Sequence, residues 1–490
     1  MARLVTMFGA VLASASTLVL AGVVTAACGS TDGSEFDSGT NDQDADPFGG
    51  DGSFGDGTTT QPDGAPCTGL CLQQVDCAGG GDTTLSGTVY DPAGNVPLYN
   101  VVVYVPNAPV DPITTGATCD KCGSTLSGSP VTATLTDAAG KFKLPRVPVG
   151  KDIPLVIQVG KWRRQVKIPN VAKCVDTPLT DKNVTRLPKN SKEGDIPLIA
   201  LTTGGADTLE CLLGKNKIGL DDSEFATKGG TGRVHLYAGY GGSPTKKFNG
   251  TMNGGADFAA AQPLWSNVAD LKKYDIVLLS CEGTIATATK PQPALDAMRD
   301  YMNAGGRVFA SHWHHYWFSH GPAPIPTIGT WSPNGSGDSA NMRTDPPDPS
   351  TGTIDTTFPK GAAFRDWMVN VGGSTTPGQV AIKEARHNLD AVNSAKAQQW
   401  ITLPNPNDNN VTAVQYVSFN TPVDVAADQQ CGRAVYSDLH VSAGDANGPA
   451  YPSGCTTSGL SPQEKALEFM LFDLSSCISD DKKQPPPPIK

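Results

Sequence analysis

Residues 305–315 read Gly-Gly-Arg-Val-Phe-Ala-Ser-His-Trp-His-His, and this stretch decides the class of fold. The two glycines end a predicted helix over Pro291 to Asn303, whose apolar residues Leu295, Met298 and Met302 lie on one face. Arg307 to Ser311 is short and mostly apolar, as in a strand buried on both faces. A helix, a glycine stop and a buried strand in succession are typical of α/β proteins with a parallel sheet.

The same alternation extends in both directions along the chain. Apolar runs at Arg233–Tyr237 and Asp275–Ser280 predict earlier strands, with a helix between them around residues 256–272. Later strands are predicted over Ala413–Phe419 and Gly432–Ser437. A last helix begins at a capping box formed by Ser461, Pro462 and Glu464. We therefore predict an α/β domain over residues 232–477, with a mostly parallel, flavodoxin-like sheet.

The residues before this domain show a different sequence pattern. Short β-branched runs alternate with Gly, Asp and Pro turns over residues 82–175, which predicts an antiparallel β-sandwich. The residues at 86–91, 94, 97–98, 136–142 and 147–150 resemble the carboxypeptidase regulatory-like domain. That resemblance implies a transthyretin-like sandwich without catalytic residues of its own. Residues 107–128 look like an insertion, and residues 176–231 are expected to be a connecting segment.

The N-terminus has the features of an export signal. Arg3 precedes an almost uncharged apolar run over Leu4–Val24, and small residues then lead to Cys28. This end resembles the lipobox of bacterial lipoproteins, although Thr25 stands where leucine is usual. The resemblance implies a signal peptide over residues 1–27 and a lipid on Cys28. A plain secretory signal and a single membrane anchor are the alternatives.

Charge is concentrated in the segment that follows. The 490-residue chain has a formal net charge of −11, and residues 31–64 hold nine acidic residues and no basic one. With few large apolar residues, segment 28–66 is predicted to be a disordered tether. A Cys-containing linker follows at 67–81, and a Pro-rich tail covers residues 478–490. No basic footprint supports nucleic-acid binding.

The cysteine content fits an oxidising compartment. Twelve cysteines, less a lipidated Cys28, leave eleven, so at least one thiol is free or pairs with another chain. Cys119 and Cys122 have the spacing of a redox or zinc motif. No second such pair is present, so disulfide bonding is favoured.

Polar residues follow three of the predicted strands, where α/β sheets bind their ligands. These ends are Ser280–Gly283, Ser311–His315 and Ser437–His440. The order of elements resembles the class I glutamine amidotransferase-like superfamily, in its trehalose-utilisation-protein-like branch, over residues 232–475. That family places a catalytic cysteine at a glycine-flanked elbow after the Gly-Gly strand. Here Ser311 or His312 takes that place without a flanking glycine, so glutaminase activity is not expected.

A metal site is one use of these residues. Four of the seven histidines lie between residues 312 and 320, and we take His312, His314, His315 and His440 as candidate ligands of zinc or another divalent metal. Asp438 lies near His440 in the sequence. The alternatives are packing of these rings beneath the loop around 320–360 and direct contact with a ligand.

A nucleophile is the other use. Ser311 or Cys281 would attack, with His440 as base and Asp438 or Glu282 orienting it. The alternatives are a strand-end hydroxyl at Ser311 and a buried, inert thiol at Cys281.

These observations predict an exported protein, lipid-anchored to the cell envelope, at the outer membrane or cell surface of a bacterium. We expect the α/β domain to bind carbohydrate or peptide without catalysis. A metal-dependent hydrolase using His312, His314 and His440 is the alternative, and a structural envelope protein is the second. The lipid would be the contact with the membrane, and no nucleic acid is expected as a partner.

Overall fold

The strand Arg307–Ser311 and the helix before it, Gln292–Asn303, lie where the sequence predicts them. The computed structural model describes residues 67–239, 244–332, 343–441, 445 and 448–486. The predicted signal peptide 1–27, Cys28, the tether 28–66 and the end of the Pro-rich tail lie outside the described residues.

The first part of the described chain forms two small sheets. Its elements are β1 (Thr84–Thr88), β2 (Val102–Pro106), β3 (Pro130–Leu135), β4 (Lys141–Leu144), β5 (Gly150–Val159), β6 (Trp162–Val171), β7 (Asp176–Leu179), α1 (Lys182–Thr185) and β8 (Gly194–Asp195). The strand orders are β4-β1-β7 and β3-β2-β5-β6-β8. The pairing is not purely antiparallel as predicted, because β7 returns from β6 of the other sheet and runs parallel to β1. The transthyretin-like assignment stays a prediction.

The second part is built on one large sheet. Its elements are β9 (Ile199–Thr203), α2 (Leu209–Leu213), β10 (Phe225–Ala226), β11 (Val234–Ala238), β12 (Ala259–Ala260), α3 (Ala261–Trp265), α4 (Val268–Leu271), β13 (Ile276–Leu279), α5 (Gln292–Asn303), β14 (Arg307–Ser311), α6 (Tyr316–Ser319), β15 (Gly329–Trp331), β16 (Ser350–Ile354), α7 (Pro359–Asn370), β17 (Gln379–Ile382), β18 (Leu389–Val392), β19 (Gln398–Asn405), β20 (Val411–Thr421), β21 (Gly432–Ser437) and α8 (Pro462–Ser475).

The large sheet is parallel in one half and antiparallel in the other. Its order is β10-β11-β9-β13-β14-β21-β20-β19-β16-β17, with β12 beside β11. Pairs from β10 to β21 are parallel. Pairs from β21 to β17 are antiparallel. β19, β20 and β21 follow one another directly as antiparallel neighbours, whereas α7 connects β16 to β17. The sheet is therefore more mixed than the sequence predicted.

Two strands of this sheet, β9 and β10, come from the segment for which only a connection was expected. Within residues 176–231, β9 lies between β11 and β13 and pairs in parallel with both. The sheet thus begins well before residue 232. Its run Ile199-Ala200-Leu201 is too short for periodicity to distinguish a strand from other buried chain.

Two predicted helices show how local sequence sets helix ends. The helix expected around residues 256–272 is instead the pair α3 and α4, because the Asn267 side chain caps a new helix by accepting from the amides of Ala269 and Asp270. The capping box of Ser461 and Glu464 at the start of α8 is confirmed. Among the described residues, no helix is both long and apolar enough to cross a membrane.

The large sheet separates two hydrophobic cores, because successive strand residues point to opposite faces. Val277 and Leu279 of β13 face a core that includes α3 and α5. Ile276 and Leu278 face the other core, which includes α8 and extends continuously into the small sheets. Ring contacts cross this boundary, as between Trp162 and Phe472, with centroids 5.8 Å apart. The two parts of the chain therefore share a core.

Disulfides reinforce this junction. Cys119 and Cys122 of the predicted insertion do not pair with each other; they bond to Cys431 and Cys477 of the second part. The other bonds are Cys67–Cys71, Cys77–Cys174 and Cys211–Cys455. Among the described cysteines, the free thiol is that of Cys281, which is buried.

A pair of buried carboxyl groups also lies at the junction. Asp91 follows β1, Glu468 lies on α8, and both are fully buried. One carboxyl oxygen of Asp91 and both carboxyl oxygens of Glu468 have no hydrogen-bond partner among the protein atoms. Burial raises the pKa of Asp91 to about 7, and burial together with the Asp91 charge holds the pKa of Glu468 well above its usual range. The pair therefore retains a proton near neutral pH.

We expect this pair to make stability fall as pH rises. Both pKa values are higher in the folded protein than in the unfolded chain, so stability is lost from about pH 4 upward through about pH 7. Glu468→Gln removes the carboxyl group whose ionisation is disfavoured by burial, so it should raise the free energy of unfolding at pH 8 by about 1–2 kcal/mol and change it little at pH 4.5. Urea unfolding at both pH values measures this. The exposed control Asp428→Asn should show no such difference, and an equal effect of Glu468→Gln at both pH values would contradict the raised pKa of Glu468.

Candidate functional site

Three neighbouring strands end at the site. β13, β14 and β21 are adjacent and parallel, so their carboxyl ends lie side by side. Cys281 follows β13, His312 follows β14, and His440 comes three residues after β21. The three strand ends that the sequence singled out therefore meet.

The side chains of these three residues converge. The sulfur of Cys281 lies 3.4 Å from Nδ1 of His312, and the same Nδ1 lies 2.9 Å from Nε2 of His440. The three donor atoms all lie within 4.8 Å of one another. Cys281 is 0% exposed, His312 4% and His440 6%. We call Cys281, His312 and His440 the donor cluster.

His312 has an unusual backbone. Its φ is +40°, in the left-handed region that non-glycine residues rarely occupy. It begins a single 3-10 turn over His312–His315 directly after β14. Its ring is buried, and Nε2 has no hydrogen-bond partner among protein atoms. Burial first, and then the neighbouring His440 and Arg386, hold the pKa of His312 well below its usual range, so the ring is neutral.

One carboxylate ties the three strand ends together. Asp207 accepts from the amide of Cys281 at 3.2 Å and from the amide of Val441 at 2.8 Å. It also accepts a short hydrogen bond from the hydroxyl of Ser311, the residue before His312. Asp207 is itself fully buried. It thereby holds the backbone at Cys281 and beside His440, and the side chain of the residue before His312.

The partner of His440 is Glu384, not Asp438. Oε2 of Glu384 lies 2.9 Å from Nδ1 of His440, and the Glu384 side chain is 55% exposed. An antiparallel bridge between Ala385 and Leu439 sets this position. Arg386 also approaches, with Nη2 at 3.3 Å from the same Nδ1.

Asp438 points elsewhere. Its carboxylate accepts from the amide and side chain of Asn388 and from the hydroxyl of Tyr436. Burial raises its pKa to about 6. It therefore orients the segment around Asn388 and does not orient His440 as the sequence suggested.

The other predicted metal ligands are not part of the donor cluster. His314 bonds through Nε2 to the carbonyl of Ser280 and through Nδ1 to the indole N–H of Trp317, at 3.0 and 2.9 Å. Nδ1 of His315 lies 3.0 Å from the hydroxyl of Ser319. The 3-10 turn after β14 points successive rings in different directions, so only His312 reaches His440.

The predicted nucleophiles are enclosed. The hydroxyl of Ser311 is 0% exposed and is held by Asp207. Cys281 is also 0% exposed, and burial raises the pKa of its thiol far above neutrality. Glu282, the alternative orienting group, forms a buried ion pair with Lys290 at 2.8 Å. Neither nucleophile is poised for attack in this state.

Sequence reasoning missed Asp207 and Glu384. Asp207 follows β9, in the segment taken as a connection, and Glu384 lies in a stretch without any recognisable motif. A single acidic residue after a short apolar run was the only signal for Asp207. No signal pointed to Glu384.

Comparison with known proteins leaves the family open. The sequence matches no protein-family model and no curated protein. A putative ThuA-like protein from Bacteroides uniformis overlaps 49% of this chain and 80% of its own, with 12% identity and a TM-score of 0.27. A cytoplasmic protein from Salmonella typhimurium overlaps 57% of this chain and 98% of its own, with 14% identity and a TM-score of 0.28. A cohesin–X-dockerin complex from Acetivibrio cellulolyticus overlaps 28% of this chain and 83% of its own, at 17% identity and a TM-score of 0.16. These weak likenesses carry no functional argument.

We expect Asp207 to be the most sensitive polar position of the site. Asp207→Ala leaves two buried amides and a hydroxyl without their acceptor and should lower the free energy of unfolding by about 3–5 kcal/mol. Asp207→Asn, which keeps the shape and one acceptor oxygen, should cost about half as much. Asp222→Ala removes a carboxylate whose ion pair is exposed and should change stability by less than about 0.5 kcal/mol. Urea unfolding followed by circular dichroism ranks the three variants. Equal effects at 207 and 222 would show that the carboxylate does not hold the strand ends.

Proposed function

We propose that this chain is an exported, lipid-anchored envelope protein whose second part binds carbohydrate without catalysis. The observation that carries the carbohydrate proposal is a pair of partly exposed indoles, Trp313 and Trp331, beside the donor cluster. We call these two residues, with His315 between them, the aromatic rim.

The rim is a row of rings at the carboxyl edge of the sheet. The ring of Trp313 lies 4.7 Å from that of His312 and 6.3 Å from that of His315. The ring of Trp331 stacks on that of His315, with centroids 6.0 Å apart. Trp313 and Trp331 are both partly exposed, and indole rings are the kind of flat apolar surface on which the C–H face of a sugar ring packs.

The aromatic residues near the rim differ in whether a ligand can reach them. Trp317 and Phe318 are buried in the core, at 1% and 0% exposure, and cannot contact a ligand. Tyr316 is partly exposed and stacks on His320 at 4.2 Å. Of the aromatic residues in this region, the partly exposed ones are therefore the candidates for ligand contact.

Charged groups lie next to this row. Beyond His312 and His440, the partly exposed Arg386 forms ion pairs with both Glu384 and Asp345. Carboxylate and guanidinium groups supply the acceptors and donors that sugar hydroxyls need. Two carboxylates and one guanidinium leave a single negative charge, which favours a neutral ligand over an anionic one.

The absence of catalysis is supported by the enclosed nucleophiles. Ser311 and Cys281 are each fully buried, and neither reaches the rim surface in this state. The sequence departs from the amidotransferase pattern at the elbow, where His312 stands. The site thus supports recognition better than acyl transfer.

The export proposal is supported by the five disulfides within the described part of the chain, which are compatible with an oxidising compartment. We infer that the lipid on Cys28 holds the chain at the outer membrane or cell surface, and that the acidic tether separates the folded part from the bilayer. In this proposal the transthyretin-like sandwich and the amidotransferase-like domain act as one rigid carrier of the rim.

We expect Trp313→Ala to weaken carbohydrate binding by about tenfold or more, because the stacking face is lost. The purified protein in detergent is screened on a glycan array together with a peptide panel. Tryptophan fluorescence titration with the oligosaccharide that binds best then gives Kd for each variant. Trp313→Phe should retain most of the affinity, and Leu72→Ala, at an exposed apolar residue on the first part, should retain all of it. Binding of peptides alone, or unchanged affinity for Trp313→Ala, would reject the proposal. Binding of neither class would favour the structural envelope role.

Cys28→Ser should move the protein from the membrane fraction to the soluble exported fraction, since the lipid is its predicted anchor. Fractionation with labelling by radioactive palmitate measures both location and lipid. A wild-type protein that is already soluble would indicate a plain secretory signal. Membrane retention of the unlabelled variant would indicate an uncleaved anchor.

A further inference from the structure

We propose that Cys281, His312 and His440 form a zinc site, a feature that does not rest on carbohydrate binding. The donor set differs from the one the sequence suggested, since it loses His314 and His315 and gains Cys281. One thiol and two imidazoles are ligands that zinc prefers.

The spacing of the donors fits one small cation. With Zn–N bonds of about 2.0 Å and a Zn–S bond of about 2.3 Å, tetrahedral angles place two nitrogens about 3.3 Å apart and a nitrogen and a sulfur about 3.5 Å apart. The observed separations are 2.9 Å between His312 Nδ1 and His440 Nε2 and 3.4 Å between His312 Nδ1 and Cys281 Sγ. Two of the three pairs are therefore within about 0.4 Å of tetrahedral spacing. The third pair, Cys281 Sγ and His440 Nε2, lies within 4.8 Å.

Hydrogen bonding alone serves this arrangement poorly. Nδ1 of His312 faces both the sulfur of Cys281 and Nε2 of His440. A ring nitrogen has either one hydrogen or one lone pair, so it cannot make a well-directed bond to both. A cation bound by all three lone pairs satisfies them together. The thiol proton of Cys281 leaves to solvent when the metal binds.

The surroundings provide the support that metal ligands need. The carboxylate of Glu384 lies 2.9 Å from Nδ1 of His440, which selects the tautomer whose Nε2 lone pair faces the other donors. Asp207 accepts from the backbone at Cys281 and at Val441, beside His440, and from the hydroxyl of Ser311, beside His312. The positive charge of Arg386 disfavours a cation at this site, but Arg386 is itself paired with Asp345 at 2.9 Å. One thiolate and the Glu384 carboxylate together balance a divalent ion.

Three protein ligands leave the fourth position of a tetrahedral ion for water or a ligand. This is the pattern of catalytic zinc sites, and it gives the metal-dependent hydrolase predicted from His312, His314 and His440 a revised donor set. In that case the metal would lower the pKa of its bound water.

The test is metal binding by the full purified protein. We expect about one equivalent of zinc by elemental analysis, and cobalt substitution should give a thiolate-to-cobalt charge-transfer band with the visible bands of a tetrahedral ion. Cys281→Ala should abolish the charge-transfer band. His440→Ala should weaken zinc affinity at least about 100-fold in competition with a chelator, and Glu384→Gln by about 10–100-fold. The matched control His320→Ala, at a partly exposed histidine outside the donor cluster, should bind zinc as the wild type does.

Added zinc should raise the Tm of the wild type and of His320→Ala but not that of a folded Cys281→Ala, which separates loss of ligand from loss of fold. A wild-type protein with neither zinc nor a cobalt spectrum would overturn the site, as would equal losses in His320→Ala and His440→Ala. Glycan titration of the metal-free protein keeps the two proposals apart, because carbohydrate binding through the rim does not require zinc.

Discussion

The site depends on one buried carboxylate. Asp207 accepts from the backbone at Cys281, from the Ser311 side chain and from the backbone at Val441, and so joins the ends of β13, β14 and β21. A buried charge is tolerated only when several donors compensate its lost hydration, and here those donors come from three different strand ends. The requirement to satisfy Asp207 therefore also fixes where Cys281, His312 and His440 lie. Asp207 follows β9, which pairs in parallel with β13 and so brings this carboxylate to the strand ends of the site.

The shared core limits where a ligand can bind. The small sheets and α8 cover one face of the large sheet, and α3 to α5 cover the other. Disulfides from Cys119 and Cys122 fasten the first part to the second. With both faces covered, the carboxyl edge is where polar side chains of several strands meet near the surface. Both the aromatic rim and the donor cluster lie there; Trp313 and Trp331 of the rim are partly exposed, and the donor cluster is buried.

His312 is where these two features meet. Its left-handed backbone turns the chain sharply after β14, so its ring points down to Cys281 and His440 while the next residue, Trp313, lies at the surface. A non-glycine residue in this conformation costs of order 1–3 kcal/mol, which the surrounding structure must offset. The same turn directs His314 and His315 away from His440. The strained backbone of His312 thereby places its own ring in the buried donor cluster and the ring of Trp313 at the partly exposed surface.

The sequence by itself determined the local elements: the strand Arg307–Ser311, the helix after Pro291, the capping box at Ser461 and the three polar strand ends. These depend on short-range patterns of apolar residues, glycines and caps. Only the tertiary structure decided that β9 enters the sheet, that Cys281 replaces His314 and His315 beside His440, and that Glu384 rather than Asp438 holds His440. It also paired Cys119 and Cys122 with distant partners. Such contacts join residues up to 355 positions apart, and they follow from strand order and chain crossing, which no local pattern encodes.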